Sequence, residues 1–356
     1  MKYTIFTLCS NNYLAQAIVL GKSLRRSNPR WNYIIGLVDK KEVSIDYDSI
    51  GFDIIEVASL NVPFIEDMVQ RYSVVELNTA LKPFFFQYLF NRSIEGDVVA
   101  YLDPDIYVYQ PLSELESKLI SNDIVLIPHC QSPIPDDGML PAEEDILNTG
   151  IYNLGFIAVK KSSQGQAMIQ WWKERLTTKA YIDFSRGLFT DQIWQNLVPV
   201  YYSNTAILQD IGYDVAYWNL HERSVLFQDN HWIVANTQQK RLLVFFHFSG
   251  YSPKEMDKLS KYQTRFSLQQ NGMLSKLFRD YANNLLENGY LNYIHYKCYY
   301  SIQHDEYLKI LRQSQLSQLN ICQRYIRVLL LMLRRKINQG IMLIEKRMSK
   351  QQSYTY

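Results

Sequence analysis

Val98-Val99-Ala100-Tyr101-Leu102-Asp103-Pro104-Asp105 decides how this chain is read. The apolar run Val98–Leu102 has the length and composition of a short buried strand. It runs straight into two carboxylates one residue apart. In open α/β sheets, ligands bind beyond the carboxyl ends of strands. Carboxylates at i and i+2 around a turn can both face one hard cation. Oxygen donors suit magnesium or manganese, which in turn bind phosphate oxygens. Asp-Pro-Asp is also an ordinary turn signal; its place directly after a buried strand favours the site.

Working outward, Tyr3–Leu8 alternates and is rich in β-formers, so it predicts a first strand. Tyr13–Leu24 then has helical spacing through Leu14, Ala17, Ile18 and Leu24. Asn28-Pro29 breaks the chain, and Tyr33–Val38 and Phe52–Val57 predict two further strands. This order is the opening of an α/β sheet. Asn78–Phe90 predicts a helix with Pro83 near its start, where a missing N–H costs little. Ile106–Val108, Ile124–Ile127 and Ile151–Val159 predict strands, and Ala167–Leu176 a helix. Pro128, Pro133, Pro135 and Pro141 mark a loop over 131–142. From about Leu268 the chain turns polar, Tyr- and Gln-rich, with helical spacing and no strand signal.

Three further stretches carry candidate chemistry. Leu243–Gly250 delivers His247 after a buried strand, followed by Ser249 and Gly250, whose backbone N–H groups could approach a phosphate closely. Alone, His247 reads as a satisfied core histidine; beside the paired aspartates it becomes a third ligand. In Asp145–Gly155, Asn148 and Asn153 flank a small-residue turn, and amides suit sugar hydroxyls because they donate and accept together. A plain hairpin turn is the alternative. In Phe189–Trp194, Asp191 is either the cap of a helix bearing Ile193 and Leu197 or a functional carboxylate beside Gln192. Phosphate-binding glycine loops, dinucleotide fingerprints and the GxSxG elbow are absent.

The whole composition agrees. Hydrophobic residues are 47% and charged ones 20% of 356, enough to bury a large core and to exclude bulk disorder. The net charge of +2 conceals two unlike parts: residues 321–356 hold eight Lys/Arg and one acid, and the rest is mildly acidic. Basic-aromatic clusters for nucleic acid are absent from that acidic body. Cys9, Cys130, Cys298 and Cys322 stand alone without zinc spacing, as in a reducing cytosol. The N-terminus reads as a strand, not a leader. The longest apolar run, Val328–Leu333, is far short of the roughly 20 residues of a membrane span. Ile326, Leu330, Leu333, Ile337, Ile341 and Ile344 recur at helical spacing among arginines and lysines. They predict a basic amphipathic helix that lies on an anionic membrane face, on its own domain or on a second copy.

The succession TIFTLCSNNYLAQAIVLGKSLRR, LDPD, NTGIYNLGF, TDQIW and HFSG resembles the nucleotide-sugar glycosyltransferases of the GT-A fold. It is most similar to the family 8-like enzymes and to bacterial transferases of lipopolysaccharide and capsule assembly. Gly212–Arg223 and Ser260–Gln263 carry the likeness to that bacterial group. The resemblance covers about residues 1–265. It implies a Rossmann-like mixed sheet flanked by helices (1–265), a helical extension (266–320) and a basic C-terminal tail (321–356).

The resemblance also implies roles. Asp103, Asp105 and His247 would hold Mn2+ or Mg2+. Thr7, Cys9, Asn12 and Tyr13 would hold the base and ribose of a donor, most simply a UDP-sugar, with Asp39 at a base-contacting position. Lys82 would lie near the diphosphate, Asn148 near the donor sugar, and Asp191 with Gln192 beside the anomeric carbon. Family members follow the histidine with Gly-x-x-Lys-Pro-Trp; here Gly250–Lys254 has Pro253 before Lys254 and no Trp, so Lys254 or Lys261 would supply that lysine. The implied reaction moves a sugar to a glycan or lipid-linked acceptor, with retention. An inverting enzyme would need a base, first Asp191 and then Asp145. A nucleotide-sugar-binding protein with a weak site and a nucleotidyltransferase are the rival classes. The implied location is the cytoplasm, or the inner face of the plasma membrane.

Overall fold

The computed structural model describes residues 1–255 and 257–317 together with Leu333 and Lys336. The helix predicted over 321–356 otherwise lies outside the described residues. The chain divides into two compact units, Met1–Ile302 and Gln303–Tyr356, and the candidate site lies within the first.

That unit opens with strand β1 (Tyr3–Cys9), helix α1 (Leu14–Ser27) and strands β2 (Trp31–Leu37) and β3 (Asp53–Glu56), close to the predicted order. Helices α2 (Ile65–Arg71) and α3 (Val74–Phe90) lead to β4 (Val98–Leu102) and β5 (Ile106–Val108). Then come α4 (Ser113–Ser121), β6 (Ile124–Leu126), α5 (Glu143–Thr149), β7 (Phe156–Lys160) and α6 (Ser163–Lys179). Shorter elements follow: β8 (Ile182–Asp183), β9 (Leu188–Phe189), α7 (Val198–Tyr201), β10 (Thr205–Ile207), β11 (Ser224–Gln228), β12 (His231–Ala235), β13 (Lys240–Leu242) and β14 (Phe245–His247). Helices α8 (Gly272–Glu287), α9 (Tyr290–Tyr293) and α10 (Tyr299–Ser317) follow. No helix among the described residues is long and apolar enough to cross a membrane.

Seven strands form one mixed sheet in the order β10-β6-β7-β4-β1-β2-β3. Period-2 alternation sends Ile5, Ala100 and Leu102 to one face and Phe6, Val99 and Tyr101 to the other, and both faces are apolar. Such strands need cover on both sides. Helices α1 and α4 supply it on the first face through Leu14, Leu20, Leu115 and Leu119. Helices α3 and α6 supply it on the second through Phe85, Phe86 and Trp172. This is an α/β sheet flanked by helices, the class predicted. A separate three-stranded sheet, β11-β12-β13, packs with α8 and was not foreseen.

Two reversals position the site. Strand β7 runs antiparallel to both β4 and β6, with Phe156 opposite Leu102. The start of β7 therefore lies beside the end of β4, and the Asp103 N–H donates to the Gly155 carbonyl at 2.8 Å. Strand β14 pairs antiparallel with β5, with His247 opposite Ile106. The Phe248 N–H then donates to the Asp105 carbonyl at 2.9 Å.

Several local expectations are corrected. Pro83 lies inside α3, because a capping box of Ser73 and Glu76 starts that helix at Val74. Burial of Lys82 through Phe86 against the sheet outweighs the lost backbone bond. The stretch through Asn148 is helix α5, not a hairpin turn, and β7 begins only at Phe156. Asp191 caps no helix; Gln192 precedes the short turn Ile193–Leu197 without a side-chain cap. His247 is the last residue of its strand rather than the residue after it.

Candidate functional site

The carboxyl end of β4 opens into a cleft of about 750 Å³. Asp103 and Asp105 stand there partly exposed, and β14 brings His247 to meet them. Ligand atoms of the three lie within 4.8 Å of one another. His247 Nε2 is 3.1 Å from Asp105 Oδ1 and 3.6 Å from Asp103 Oδ2. Two carboxylates and an imidazole form a donor set that suits a divalent cation of the manganese or magnesium kind. Burial alone would push the His247 imidazole down, yet Asp105, Asp214 and Asp103 carry it up to about 10. The cluster thus holds on to a positive charge, and a metal ion bound to Nε2 would replace that proton.

Asp214 is the residue the sequence did not disclose. It is fully buried, and its Oδ1 lies 3.5 Å from His247 Nδ1. Its φ of 51° puts it in the left-handed region, where Asp is tolerated better than most residues. The backbone holds the pair in register: the His247 N–H donates to the Val215 carbonyl at 2.8 Å. At 3.5 Å the Asp214 carboxylate sets a negative charge against Nδ1, which favours a proton there and leaves the Nε2 lone pair to a metal. Gly155 completes the packing, since a Cβ there would lie 2.8 Å from His247 Nδ1 and 2.6 Å from Asn153 Oδ1.

Beside this open cluster sits a sealed ion pair. Lys82 Nζ is 2.8 Å from Asp191 Oδ2 and 3.9 Å from Asp103 Oδ1. It also donates to the Leu154 carbonyl at 2.7 Å and lies 4.3 Å from the Tyr101 ring centroid. Lys82 and Asp191 are 3% and 2% exposed. Burial raises the Asp191 carboxyl, opposed by Lys82. Thr190, a β-branched residue at φ 44°, precedes Asp191 and donates to its Oδ1 at 3.1 Å. The tight backbone there aims the carboxylate at the lysine.

A third wall is built of amides. Gln192 accepts from the Leu154 N–H and donates to the Thr149 carbonyl, both at 3.0 Å, so it ties the chain on either side of Gly150. Asn153 Oδ1 accepts from the Gly155 N–H at 2.9 Å, and its amide nitrogen faces His129 Nε2 at 3.2 Å. His129 Nδ1 meets the Ile151 carbonyl at 3.2 Å. That pattern assigns a neutral ring protonated on Nδ1. Burial accordingly pushes His129 down to about 4.

Tyr13, Asp145, Ser249 and Gly250 also line the cleft. Gly250 has φ 71°, and a Cβ there would meet Ser260 Oγ at 2.6 Å. Asp145 accepts the Ala142 N–H at 2.9 Å and so caps α5. Other sequence candidates lie away from the cleft lining. Thr7 and Cys9 are buried in β1. Asn12 accepts from Ser10 Oγ at 2.6 Å. Asp39 spends both oxygens on the N–H groups of Asn11, Lys40 and Tyr299, at 3.1, 2.9 and 2.7 Å. Asn148 is exposed on α5, and Lys254 is exposed while Lys261 lines the cleft.

No family model matches this chain. It is 26% identical over 255 residues to the uncharacterized protein YfnF of Bacillus subtilis (strain 168), covering 69% of this chain and 80% of that one. Among solved structures it is similar to a galactosyltransferase, LgtC, in complex with donor and acceptor sugar analogues. There the TM-score is 0.42 and the identity 13%, over 79% of this chain and 95% of that chain. It is also similar to the glycosyltransferase GlyE of Streptococcus pneumoniae TIGR4, with TM-score 0.41 and 15% identity over 84% of this chain and 66% of that chain.

Proposed function

We propose that this protein is a metal-dependent glycosyltransferase of the GT-A type. It would move a sugar from a nucleotide-diphosphate donor, a UDP-sugar in the simplest case, to a glycan or lipid-linked acceptor of surface polysaccharide synthesis. The observation that carries the reading is the meeting of Asp103, Asp105 and His247 at the carboxyl end of β4, within one cleft. Those three residues would hold Mn2+ or Mg2+, which neutralises negative charge as the diphosphate departs.

The chain's own residues do the rest. Lys261 adds a cation to the cleft edge near Ser249 and Gly250, where a diphosphate would lie. Lys82 is committed to Asp191 and the Leu154 carbonyl, so it sets the local potential rather than reaching outward. Gln192 and Asn153 form the wall beside the anomeric carbon. Retention is favoured because the first candidate base, Asp191, is sealed against Lys82; Asp145, exposed on the cleft lining, is the base that inversion would have to use.

The same reading gives residues 1–265 the catalytic role, 266–320 a helical extension, and 321–356 a basic contact with the cytoplasmic membrane face. The test is a panel of nucleotide sugars with and without MnCl2. Release of nucleoside diphosphate from one donor, dependent on the metal, is expected, and the product anomer read by NMR should match the donor's. No release from any donor would defeat the reading; an opposite anomer would defeat retention alone.

A further inference from the structure

The lining of the cleft is of two kinds. One is polar, formed by Tyr13, Ser249, Gly250, Lys261 and Gln263. The other is formed by Val75, Leu140, Ile146, Ile182 and Phe189. Val75, Leu140 and Ile182 are 55%, 48% and 45% exposed. Phe184, itself exposed, stacks on Phe189 with centroids 5.7 Å apart and extends the apolar surface outward. The Ile182 N–H donates to Glu76 Oε1 at 2.7 Å, joining β8 to the start of α3 beside Val75. Exposed apolar surface concentrated at the mouth of a polar site marks a binding surface.

The hydroxyl protons beside these residues are already donated. Thr79 Oγ1 donates to the Glu76 carbonyl at 2.9 Å, and Thr149 Oγ1 to the Asp145 carbonyl at 2.7 Å. Asp145 is the cap of its own helix. Sugar hydroxyls laid on Val75, Leu140 and Ile182 would lose water without gaining partners from those side chains, which is costly. Hydrocarbon laid here gains from burial.

We infer that the acceptor carries an apolar group next to the hydroxyl that is glycosylated, and that this group seats on Val75, Leu140, Ile146, Ile182 and Phe189. The inference rests on the transferase reading and narrows its acceptor to a hydrocarbon-linked saccharide rather than a free glycan.

The test compares n-octyl and methyl β-D-galactopyranoside, and the matching glucosides, binding the full chain with MnCl2 below the micellar concentration. Octyl glycosides should bind at least about tenfold more tightly, since each buried methylene contributes. Val75→Ser/Leu140→Ser/Ile182→Ser should bring the two to within about twofold. Its fold is checked by its Mn2+-dependent rise in Tm; if it fails to fold, Val75→Ser and Ile182→Ser alone should each weaken octyl binding about threefold. Equal affinities in the wild type, or an octyl preference that survives these changes, would overturn the inference. So would a wild-type dimer that the triple variant dissociates, because the edge would then be a self-interface. Failure of every donor to break down would strike the transferase reading and leave the alkyl preference standing as measured.

Discussion

The open cluster of Asp103, Asp105 and His247 and the sealed pair of Lys82 and Asp191 lie side by side and solve the same problem differently. Both gather carboxylates at the end of β4. Asp191 carries its own cation, buried with it at 2.8 Å. Asp103 and Asp105 keep 29% and 23% of their side-chain surface and have a histidine that must be protonated to help them. The lesson is that a site missing a charge is recognised by what its neighbour already has. One carboxylate is neutralised by a buried lysine; the others face an open cleft beside a histidine.

The comparison can be broken by removing each partner in turn. Asp105→Ala should abolish Mn2+-dependent turnover, a loss beyond 100-fold as an order of magnitude for a charge-stabilising group, while Tm without metal stays close to wild type. Residual turnover near wild type would remove Asp105 from the site. Lys82→Met should do the reverse to the scaffold. It strands Asp191 in the interior and should cost about 3–5 kcal/mol in urea melts, with Asp191→Asn in the same chain recovering part of it. A Lys82→Met protein as stable as wild type would mean that the pair is not sealed.

A third buried group sharpens the pattern through pH. His129 is held near 4, below its unfolded value of 6.5. The unfolded chain therefore binds the extra proton first, and stability falls as pH drops from about 6.5 to about 4. The loss from this residue is at most roughly 3 kcal/mol. His129→Gln should flatten that limb of the melting curve; an unchanged limb would place the acid sensitivity elsewhere. The smallest effect belongs to Asp214→Asn, which keeps an acceptor for His247 but removes the charge. Mn2+ affinity, followed by thermal shift or EPR, should weaken about 10–100-fold. Unaltered affinity in a folded variant would leave Asp214 a packing residue only.

Much of this was legible along the chain because it is local. Val98–Leu102 followed by Asp103 and Asp105 requires only a strand pattern and its end, and His247 only the apolar run before it. The partnerships were not legible, because pairing in a sheet is non-local. Nothing near Asp105 tells that β14 will lie against β5, and nothing near Lys82 announces Asp191. Asp214 sits in a stretch without periodicity, where an aspartate reads as a turn. Asn148 misled for the opposite reason: a turn-like composition hid the helix α5, whose Asp145 cap becomes visible only when the Ala142 N–H is seen to meet it.

The reversal of β7 has a consequence for how such a molecule can change. In a wholly parallel sheet the segment before that strand would emerge at the far end of the molecule. Here residues 128–155, with α5 and Leu140, open onto the same cleft as the Asp103–Asp105 turn but belong to a different stretch of chain. An insertion, deletion or exchange between 128 and 155 can therefore redraw one wall of the cleft while Asp103, Asp105 and His247 stay in register. The shape of the cleft and the Asp-Asp-His cluster are separately heritable in this fold.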